Sequence, residues 1–328
     1  MSRRWKWDFE EERAATPPPS PPALSAPGRT VLGPPVRRRR GGAQIRRRRS
    51  GAALLLLGLV VAVIVALTGS SPRATRSHGG PAAASALPGG ASNSAAPSAE
   101  AEGAAAVKRV LAYTPFVRTG GGQSKDIALT FDDGPGPYTP EVLSVLERFH
   151  VHATFFAIGK MERYFSASTI REFQDGDVVG DHTQSHPQLA QLSAHEQHEE
   201  LFEGLLRIEV LGGDRPSLFR PPYGSYNATT MRQLRALHLL MVLWSADTQD
   251  YLQPGVPVIV QRALEGAQPG AILLMHDGGG NRTQTIAALP TIITKLRERG
   301  YHLVTVPEML AKDPPPAGQP LPANLAGD

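Results

Sequence analysis

The chain lacks cysteine altogether, since none occurs among its 328 residues. That absence excludes thiolate metal sites, cysteine nucleophiles, disulfides and an anchor carried on a lipidated cysteine. The net charge of +4 is uneven along the chain. Residues 1–50 hold 13 Lys and Arg against 4 Asp and Glu, whereas the remainder holds 21 against 26. Most of the chain is therefore mildly acidic, although the whole is basic.

One long apolar run is present, with no charge over the 19 residues of 51–69. Such a run can cross about 30 Å of hydrocarbon as a helix at about 1.5 Å per residue. Eight arginines precede it in residues 37–49, and only Arg73 and Arg76 follow it within twenty residues. The positive-inside rule then places the N-terminus in the cytoplasm and everything after the run outside. We therefore expect a single-pass plasma-membrane protein with an extracellular domain.

Two other interpretations of this basic and apolar region are weaker. A cleaved signal peptide spans about 15–30 residues in all, whereas fifty residues precede this apolar run. The arginine runs could bind nucleic acid, but their position beside a membrane span makes topology the simpler explanation. We therefore expect no nucleic-acid partner. Attraction to anionic lipid is compatible with the anchor.

Composition divides the chain into five parts. Residues 70–107 are rich in Ala, Ser, Pro and Gly, which predicts a flexible spacer, and the last residues have a similar composition. The predicted parts are a basic, Pro- and Arg-rich cytoplasmic tail (1–50), a transmembrane signal-anchor (51–69), a linker (70–107), one folded domain (108–312) and a disordered tail (313–328).

The folded domain alternates short β-type runs with helical patterns. Ser193 and Glu196 form a capping-box pattern before a helix predicted over 194–211, and a second helix is predicted over 283–299, before Gly300. Repeated β-then-α units predict an α/β barrel or an open α/β sheet. The predicted strands are 127–131, 153–157, 178–181, 218–220, 239–244, 271–275 and 302–306.

Two adjacent carboxylates, Asp132 and Asp133, stand in the segment TFDDGP directly after the first predicted strand. This is the carboxyl end of a strand, where α/β folds build their sites. Alternation along the chain should point the two side chains in different directions, so that one could act as a base and the other as a metal ligand. Asp-Asp-Gly-Pro is also ordinary turn chemistry. Partners elsewhere in the chain must decide between these interpretations.

Two histidines, His182 and His186, are spaced four apart in DHTQSHP after the predicted strand 178–181. On one helical turn this spacing would align both imidazoles on a single face, although Pro187 limits such a helix. Such a pair is a metal site in some proteins and chance in others. Joined to one carboxylate, it makes a two-His-one-Asp set with coordination positions open for water and substrate.

Three further segments place polar residues just beyond predicted strands. In FRPPYGSYN, Arg220 ends a strand and two prolines without N–H follow, so Tyr223 offers the next backbone donor, which could bind an oxyanion. LWSADTQDY carries Asp247 and Asp250, and His276 ends the run AILLMH, a position that suits an acid. Each segment alone is as compatible with loop polarity as with catalysis. Five such segments in this order are hard to assign to chance.

The motifs TFDDGP, H-T-x-S-H, RPPYG, D-x-x-D-aromatic and L-x-H resemble, in this order, those of the NodB-type polysaccharide deacetylases, the fourth family of carbohydrate esterases. The resemblance covers roughly residues 125–306. It implies an α/β fold, a deformed (β/α) barrel called the NodB homology domain, here with a single N-terminal transmembrane helix and disordered flanks. It also implies a hydrolase that removes acetyl groups from N-acetylated sugars with one divalent metal ion.

The resemblance assigns roles to single residues. Asp133, His182 and His186 match the metal ligands of the family, and Asp132 matches its general base. The other matching positions are Arg220, which pairs with the base; Tyr223, whose backbone N–H binds the oxyanion; His276, the general acid; Asp250, which tunes the acid; Leu274, a wall of the acetyl pocket; and Pro222 and Tyr251, which contact substrate.

These residue types suit the hydrolysis of an amide. A divalent metal polarises the carbonyl and moves the pKa of a bound water from about 15.7 to about 7, so that water can attack the acetyl carbon with Asp132 as base. A sugar amine is a poor leaving group unless it is protonated, so an acid is required. His276 starts from a pKa of about 6.5, and Asp250 would raise that pKa by favouring imidazolium.

Two positions depart from the family pattern. Tyr251 stands where the family usually has tryptophan, and its smaller, hydroxylated ring affects substrate fit more than chemistry. Asp181 stands where asparagine is more familiar. We expect Asp181 to add negative charge beside the metal ligands.

Other functions could use the same residues. They are an esterase that removes O-acetyl groups from a xylan-type polysaccharide, a non-catalytic wall-binding module, and a non-haem iron oxygenase, in which Asp132 and His276 would have no role. Tethering to the membrane makes the cell's own wall the natural substrate. We therefore expect peptidoglycan N-acetylglucosamine, with chitooligosaccharides as the alternative. Histidine nitrogens favour zinc, or cobalt, nickel or iron, over magnesium or calcium.

Overall fold

The computed structural model describes residues 98–212 and 215–319. The predicted cytoplasmic tail (1–50) and membrane anchor (51–69) lie outside these ranges. Within the ranges, every helix is too short or too polar to cross a membrane.

The described chain contains nine strands: β1 (Phe116–Val117), β2 (Asp126–Asp132), β3 (Thr154–Ala157), β4 (Val178–Asp181), β5 (Leu218–Phe219), β6 (Leu240–Val242), β7 (Ala246–Asp247), β8 (Ile272–His276) and β9 (His302–Val304). They form one sheet in the order β1-β6-β5-β4-β3-β2-β8-β7, with β9 also paired to β2, and all these pairs are parallel. Since β1 and β7 end this path, the sheet is an open half-barrel. All seven predicted strands are present, and only the two-residue strands β1 and β7 were not predicted.

Eight helices accompany the strands: α1 (Ala99–Leu111), α2 (Thr139–Phe149), α3 (Glu162–Asp175), α4 (Ala194–Gly212), α5 (Ala228–Leu237), α6 (Val256–Glu265), α7 (Thr283–Glu298) and α8 (Val306–Lys312). The capping box before α4 is confirmed, because the Ser193 backbone N–H donates to Glu196 Oε2 at 2.8 Å and the Glu196 N–H donates to Ser193 Oγ at 3.3 Å. The helix predicted over 283–299 is α7.

The alternation of side chains along the strands decides which residues line the barrel. In β2, Ile127, Leu129 and Phe131 pack outward in the core formed with α2, α6 and α7, whereas Ala128 belongs to the core inside the barrel. Since side chains alternate with period two, Thr130 and Asp132 point to the interior with Ala128. The strands are buried on both faces, as parallel sheets require. Polar side chains at the carboxyl ends of these strands therefore lie close together on the interior side of the sheet.

The predicted boundary between linker and domain is wrong, because residues 99–107 belong to α1. Ser98 caps this helix by accepting a hydrogen bond from the Ala101 N–H at 3.2 Å. Alanine has the strongest intrinsic preference for helix, so an Ala-rich segment suits a helix as well as a spacer. The buried face of α1, which includes Gly103 and Val107, packs on α8 and closes the base of the barrel. Burial of that face selects the helix.

The predicted disordered tail also needs correction, because its first residues are packed on the domain. The carboxylate of Asp313 accepts a hydrogen bond from the Ser124 N–H at 2.8 Å. The Gln319 side chain accepts from the Arg118 N–H at 2.8 Å and donates to the Thr119 carbonyl at 3.0 Å. Residues 320–328 lie outside the described ranges. The folded domain therefore extends at least from 98 to 319.

Candidate active site

Three predicted metal ligands come together at the carboxyl ends of β2 and β4. Ligand atoms of Asp133, His182 and His186 all lie within 4.8 Å of one another, and all three residues are buried. Asp133 Oδ1 is 3.0 Å from His186 Nε2 and 3.5 Å from His182 Nε2. Within the described ranges, no other group of three His, Cys, Asp or Glu residues meets this geometry.

The orientation of His182 suits a ligand. Its Nδ1 lies 2.7 Å from the backbone oxygen of Arg220, so Nδ1 carries the proton and Nε2 presents a lone pair toward Asp133. In metal-binding histidines generally, a hydrogen bond from the ring nitrogen that does not bind the metal fixes the tautomer. Burial also lowers the pKa of His186, which favours the neutral imidazole that binds metals. Two imidazole nitrogens and one carboxylate are a donor set that fits a divalent transition metal.

The backbone of the site differs from the helical turn considered for the two histidines. Residues 182–187 form a loop in which Thr183 and His186 have φ of 71° and 65°. Asp133 also lies in this left-handed region, with φ of 73°. Non-glycine residues rarely adopt that conformation, which is concentrated at functional sites. The loop, rather than a helix face, brings both imidazoles to Asp133.

Asp132 is held by a buried arginine, as predicted. Arg220 Nη1 donates to Asp132 Oδ1 at 2.7 Å and to Thr130 Oγ1 at 2.8 Å. Arg220 is fully buried, and its guanidinium lies 4.1 Å from the centroid of the Phe156 ring. The other carboxylate oxygen of Asp132 is 3.8 Å from His182 Nε2. Asp132 and Asp133 thus both lie near His182, but only Asp132 bonds Arg220 and only Asp133 lies within 3.0 Å of His186.

The neighbouring strand β8 and the segment after β7 carry His276 and Asp250. His276 Nδ1 is 2.8 Å from Asp250 Oδ1, and His276 Nε2 is 4.0 Å from Asp133 Oδ2. Burial alone would lower the pKa of His276, but the adjacent charge and hydrogen bond of Asp250 raise it to about 9. Burial would raise the pKa of Asp250, yet His276 lowers it below its ordinary value. Asp250 therefore favours the imidazolium form of His276.

The predicted substrate and oxyanion residues border this cavity. Tyr223 has φ of 58°, and its ring centroid is 4.6 Å from that of His186, which places its ring beside a metal-ligand position. Pro222 is buried directly before it. Leu274 is buried in β8 two residues before His276, so both side chains lie on the same face of the strand.

Tyr251 contacts the proposed acid edge-on, with ring centroids of Tyr251 and His276 5.2 Å apart. Burial, followed by the charges of Asp247 and Asp250, raises the pKa of Tyr251 to about 12. A side-chain hydrogen bond to Asp247 contributes to this rise. The Tyr251 hydroxyl, which a tryptophan would lack, therefore has a hydrogen-bond partner. The Tyr251 ring still provides an aromatic surface beside His276.

Asp181 was expected to add negative charge beside the metal ligands. It is fully buried, and one of its oxygens accepts the Thr183 N–H at 3.0 Å. Burial raises its pKa well above the ordinary value, which opposes that charge. Asp181 also lies outside the cluster of metal-ligating side chains. Its hydrogen bond to Thr183 ties it to the loop that carries the two histidines.

Three buried residues that contact the site were not predicted. Thr130 bonds Arg220, Thr285 donates to Asp250 Oδ2 at 2.7 Å, and Arg282 bonds the loop after His276. Thr130 could have been inferred, because it stands two residues before Asp132 on the same face of a strand. Thr285 and Arg282 lie in or just before the first turn of α7, and no local pattern marks them as neighbours of Asp250.

The fold and the site together define a hydrolase of the open (β/α)-barrel type, with a buried Arg–Asp pair, a buried His–Asp pair and a candidate metal centre at the carboxyl ends of its strands. The family model for polysaccharide deacetylase matches residues 119–242. The Bc1960 peptidoglycan N-acetylglucosamine deacetylase, solved in complex with 4-naphthalen-1-yl-N-oxidanyl-benzamide, superposes with a TM-score of 0.59 at 32% identity, over 61% of this chain and 94% of that one.

Two curated relatives agree with this match. A peptidoglycan-N-acetylglucosamine deacetylase from Bacillus cereus is 39% identical over 192 residues, which is 57% of this chain and 88% of the relative. Peptidoglycan-N-acetylmuramic acid deacetylase PdaC from Bacillus subtilis is 39% identical over 186 residues, 56% of this chain but only 38% of the relative. The chain belongs to the polysaccharide deacetylase family, carbohydrate esterase family 4, whose members are hydrolases of N-acetyl amide bonds.

Proposed function

We propose that this protein is a metal-dependent deacetylase that hydrolyses the N-acetyl groups of N-acetylglucosamine in extracellular peptidoglycan. The observation that supports this most is that two hydrogen-bonded pairs lie beside the metal-ligating cluster. Arg220 donates to Asp132, whose other oxygen is 3.8 Å from His182 Nε2, and Asp250 bonds His276, whose Nε2 is 4.0 Å from Asp133 Oδ2. The hydrolysis of an amide needs both a base for the water and an acid for the leaving nitrogen.

The first half of the reaction uses the Asp132 side. Asp133, His182 and His186 would hold a divalent ion, proposed to be Zn²⁺, which would polarise the acetyl carbonyl and acidify the attacking water. Asp132, fixed by Arg220, takes one proton from the water while the oxygen of that water bonds to the acetyl carbon. The backbone N–H of Tyr223 is the proposed donor to the oxygen that becomes negative.

The second half of the reaction uses the His276 side. His276 Nε2 gives its proton to the sugar nitrogen as the C–N bond breaks, so the products are a free amine and acetic acid, which ionises to acetate. Proton exchange with solvent then removes the proton from Asp132 and returns one to His276. Asp250 stabilises the imidazolium before the transfer. Leu274 and Tyr251 border the space beside His276 and would contact the acetyl group and the sugar. No covalent enzyme intermediate is required.

The choice of sugar follows the names of most of these relatives. The Bacillus cereus relative is named for N-acetylglucosamine in peptidoglycan, as are further relatives from Bacillus cereus and Listeria monocytogenes, whereas PdaC, also 39% identical, is named for N-acetylmuramic acid. The two sugars differ by the lactyl ether on the muramic acid ring, so a binding assay with both will distinguish them.

The decisive experiment measures acetate release by the full chain on three substrates: purified peptidoglycan, N-acetylglucosamine oligomers and acetylated xylan. Each reaction is run with metal, with chelator, and with the Asp132→Asn variant. We expect release from the first two substrates that stops with chelator and with the variant. The variant should still bind one equivalent of Zn²⁺, because Asp133 and the histidines are unchanged.

Other outcomes would overturn parts of the proposal. Faster release from xylan would indicate an O-acetyl esterase, and no release from any substrate with metal bound would indicate a wall-binding module. Release that survives chelation would exclude the metal-dependent mechanism. Loss of metal binding in Asp132→Asn would remove Asp132 as a base and make it a ligand.

We also propose that residues 51–69 anchor the protein in the plasma membrane, with the N-terminus in the cytoplasm and the catalytic domain outside. The uncharged run and the arginines before it support this topology. Protease added to intact spheroplasts should then digest the domain and leave a short N-terminal fragment in the membrane fraction. Full protection of the domain would contradict this topology.

A further inference from the structure

Asp250 has a fully bonded carboxylate. It is 1% exposed, and its Oδ1 is 2.8 Å from His276 Nδ1. Its Oδ2 accepts two hydrogen bonds, from the His276 backbone N–H at 2.9 Å and from Thr285 Oγ1 at 2.7 Å. Because these donors approach both oxygens from different elements, the plane of the carboxylate is fixed. The carboxylate in turn fixes the ring of His276.

Thr285 is a buried donor from a different part of the fold. It lies in the first turn of α7, is 1% exposed and stands 35 positions after Asp250. A threonine hydroxyl in a helix can bond the backbone of its own helix, as the exposed Thr294 does by donating to the Pro290 carbonyl at 2.8 Å. Thr285 bonds the carboxylate instead. This contact joins α7 to the turn that carries Asp250.

Arg282, just before α7, is a second unusual residue at this place. It is 1% exposed, and all three of its hydrogen-bond acceptors are backbone carbonyls, of Gly278 and Gly279 at 2.6 Å and of Asn281 at 3.3 Å. Burying a guanidinium is costly. Here the cost is offset in part by bonds that fasten the loop directly after His276, and in part by attraction to Asp250.

We propose that Thr285 and Arg282 are positioning residues for the proton donor, which hold Asp250 and the loop after His276 so that His276 Nε2 faces the leaving nitrogen. This proposal rests on the proposed function, because it takes His276 as the acid. It predicts a defect confined to reactions that need a proton on the leaving group. A sugar amine needs that proton, whereas an aryl oxide leaves as a stable anion.

The test compares two substrates on the metal-loaded full chain, N-acetylglucosamine oligomers and 4-nitrophenyl acetate. Thr285→Val keeps the shape of the side chain but removes the hydroxyl, and Thr285→Ser restores it. General acids contribute about 10²–10⁴ in rate, so partial misplacement should lower kcat on the oligomers about tenfold at unchanged KM. We expect kcat on the aryl ester to change less than about twofold, and Thr285→Ser to recover most of the lost rate.

Arg282→Lys provides an independent test, because lysine keeps the charge but lacks the planar set of donors with which the guanidinium bonds several carbonyls at once. We expect the same selective loss on the oligomers. Thr294→Val, on the exposed part of α7, is the matched control and should leave both rates unchanged.

The outcomes separate this inference from the proposed function. Equal losses on both substrates in Thr285→Val would show a general structural effect and overturn the inference, and so would unchanged rates on both. If the wild-type protein releases no acetate from the oligomers while it cleaves the aryl ester, the proposed function itself fails. A selective loss with recovery in Thr285→Ser supports the inference.

Discussion

Removal of the Arg220 guanidinium is the perturbation with the most defined structural consequence. Arg220 is fully buried and donates to Asp132 at 2.7 Å and to Thr130 at 2.8 Å. Its remaining donors bond the carbonyls of Val242 at 3.0 Å and Leu243 at 3.3 Å. The Arg220→Met variant keeps an apolar chain over Phe156 but leaves Asp132, 4% exposed, without its partner. An unpaired carboxylate then remains buried.

The expected loss of stability is large. Breaking a buried ion pair by removing one partner costs about 3–5 kcal/mol. For a domain of this size, each kcal/mol lowers Tm by about 2–4 °C, so Arg220→Met should melt about 10 °C below wild type. Asp132→Asn is also destabilising, because it leaves the buried guanidinium unpaired. The double variant removes both charges and should be more stable than the sum of the single effects predicts, by about 2 kcal/mol.

The assay is urea unfolding followed by circular dichroism, with chelator present so that bound metal does not differ between variants. Arg171→Met is the matched control, because Arg171 pairs with Glu147 at 2.9 Å on the surface, where their side chains are 32% and 69% exposed. Such an exposed pair contributes about 0–1 kcal/mol. Equal losses in Arg220→Met and Arg171→Met, or strictly additive effects of Arg220→Met and Asp132→Asn, would refute the reasoning.

Three further predictions follow from burial and charge. His276→Ala should remove the alkaline limb of the pH profile, which in wild type lies at or below about pH 9, because a bound cation can only lower that pKa; an unchanged profile would exclude His276 as the acid. Burial raises the pKa of Glu162 to about 8, so the folded state favours its protonated form. The resulting stability is complete below about pH 4.5 and is lost as pH rises to about 8. Glu162→Gln should therefore be more stable than wild type by about 2–4 kcal/mol at pH 8.5 and nearly equal at pH 5, and an equal difference at both values would contradict this. Gly103→Val should destabilise α1 by about 1–3 kcal/mol, because a Cβ at Gly103 would lie 2.9 Å from Pro307 Cβ. Thermal melting against Ala104→Val, on the exposed side of the same helix, provides the comparison, and equal Tm values would show that α1 does not pack as described.

Much of the site could be predicted because its residues follow strands. The carboxyl ends of parallel strands meet at one edge, so polar residues after β2, β4, β5, β7 and β8 converge wherever the helices lie. Period-two alternation also explains why Asp132 and His276 face the interior, in register as partners across β2 and β8. Neither inference requires knowledge of contacts between distant segments.

Contacts between distant segments account for what could not be predicted. The loop of His182 and His186 has positive φ angles that no spacing rule specifies. The raised pKa of Asp181 results from its burial, and a local sequence does not reveal the depth at which a carboxyl group lies.

The order of strands and helices, the candidate metal-ligating, base and acid positions, and the apolar run at 51–69 are all readable from the sequence alone. The tertiary structure shows that the domain also includes α1 and residues 313–319, because these segments pack on the rest of the domain and hydrogen-bond to it. It also decided that Thr285 bonds Asp250. Local patterns depend on neighbours a few residues apart, whereas burial and hydrogen bonds across 35 positions exist only once the chain has packed.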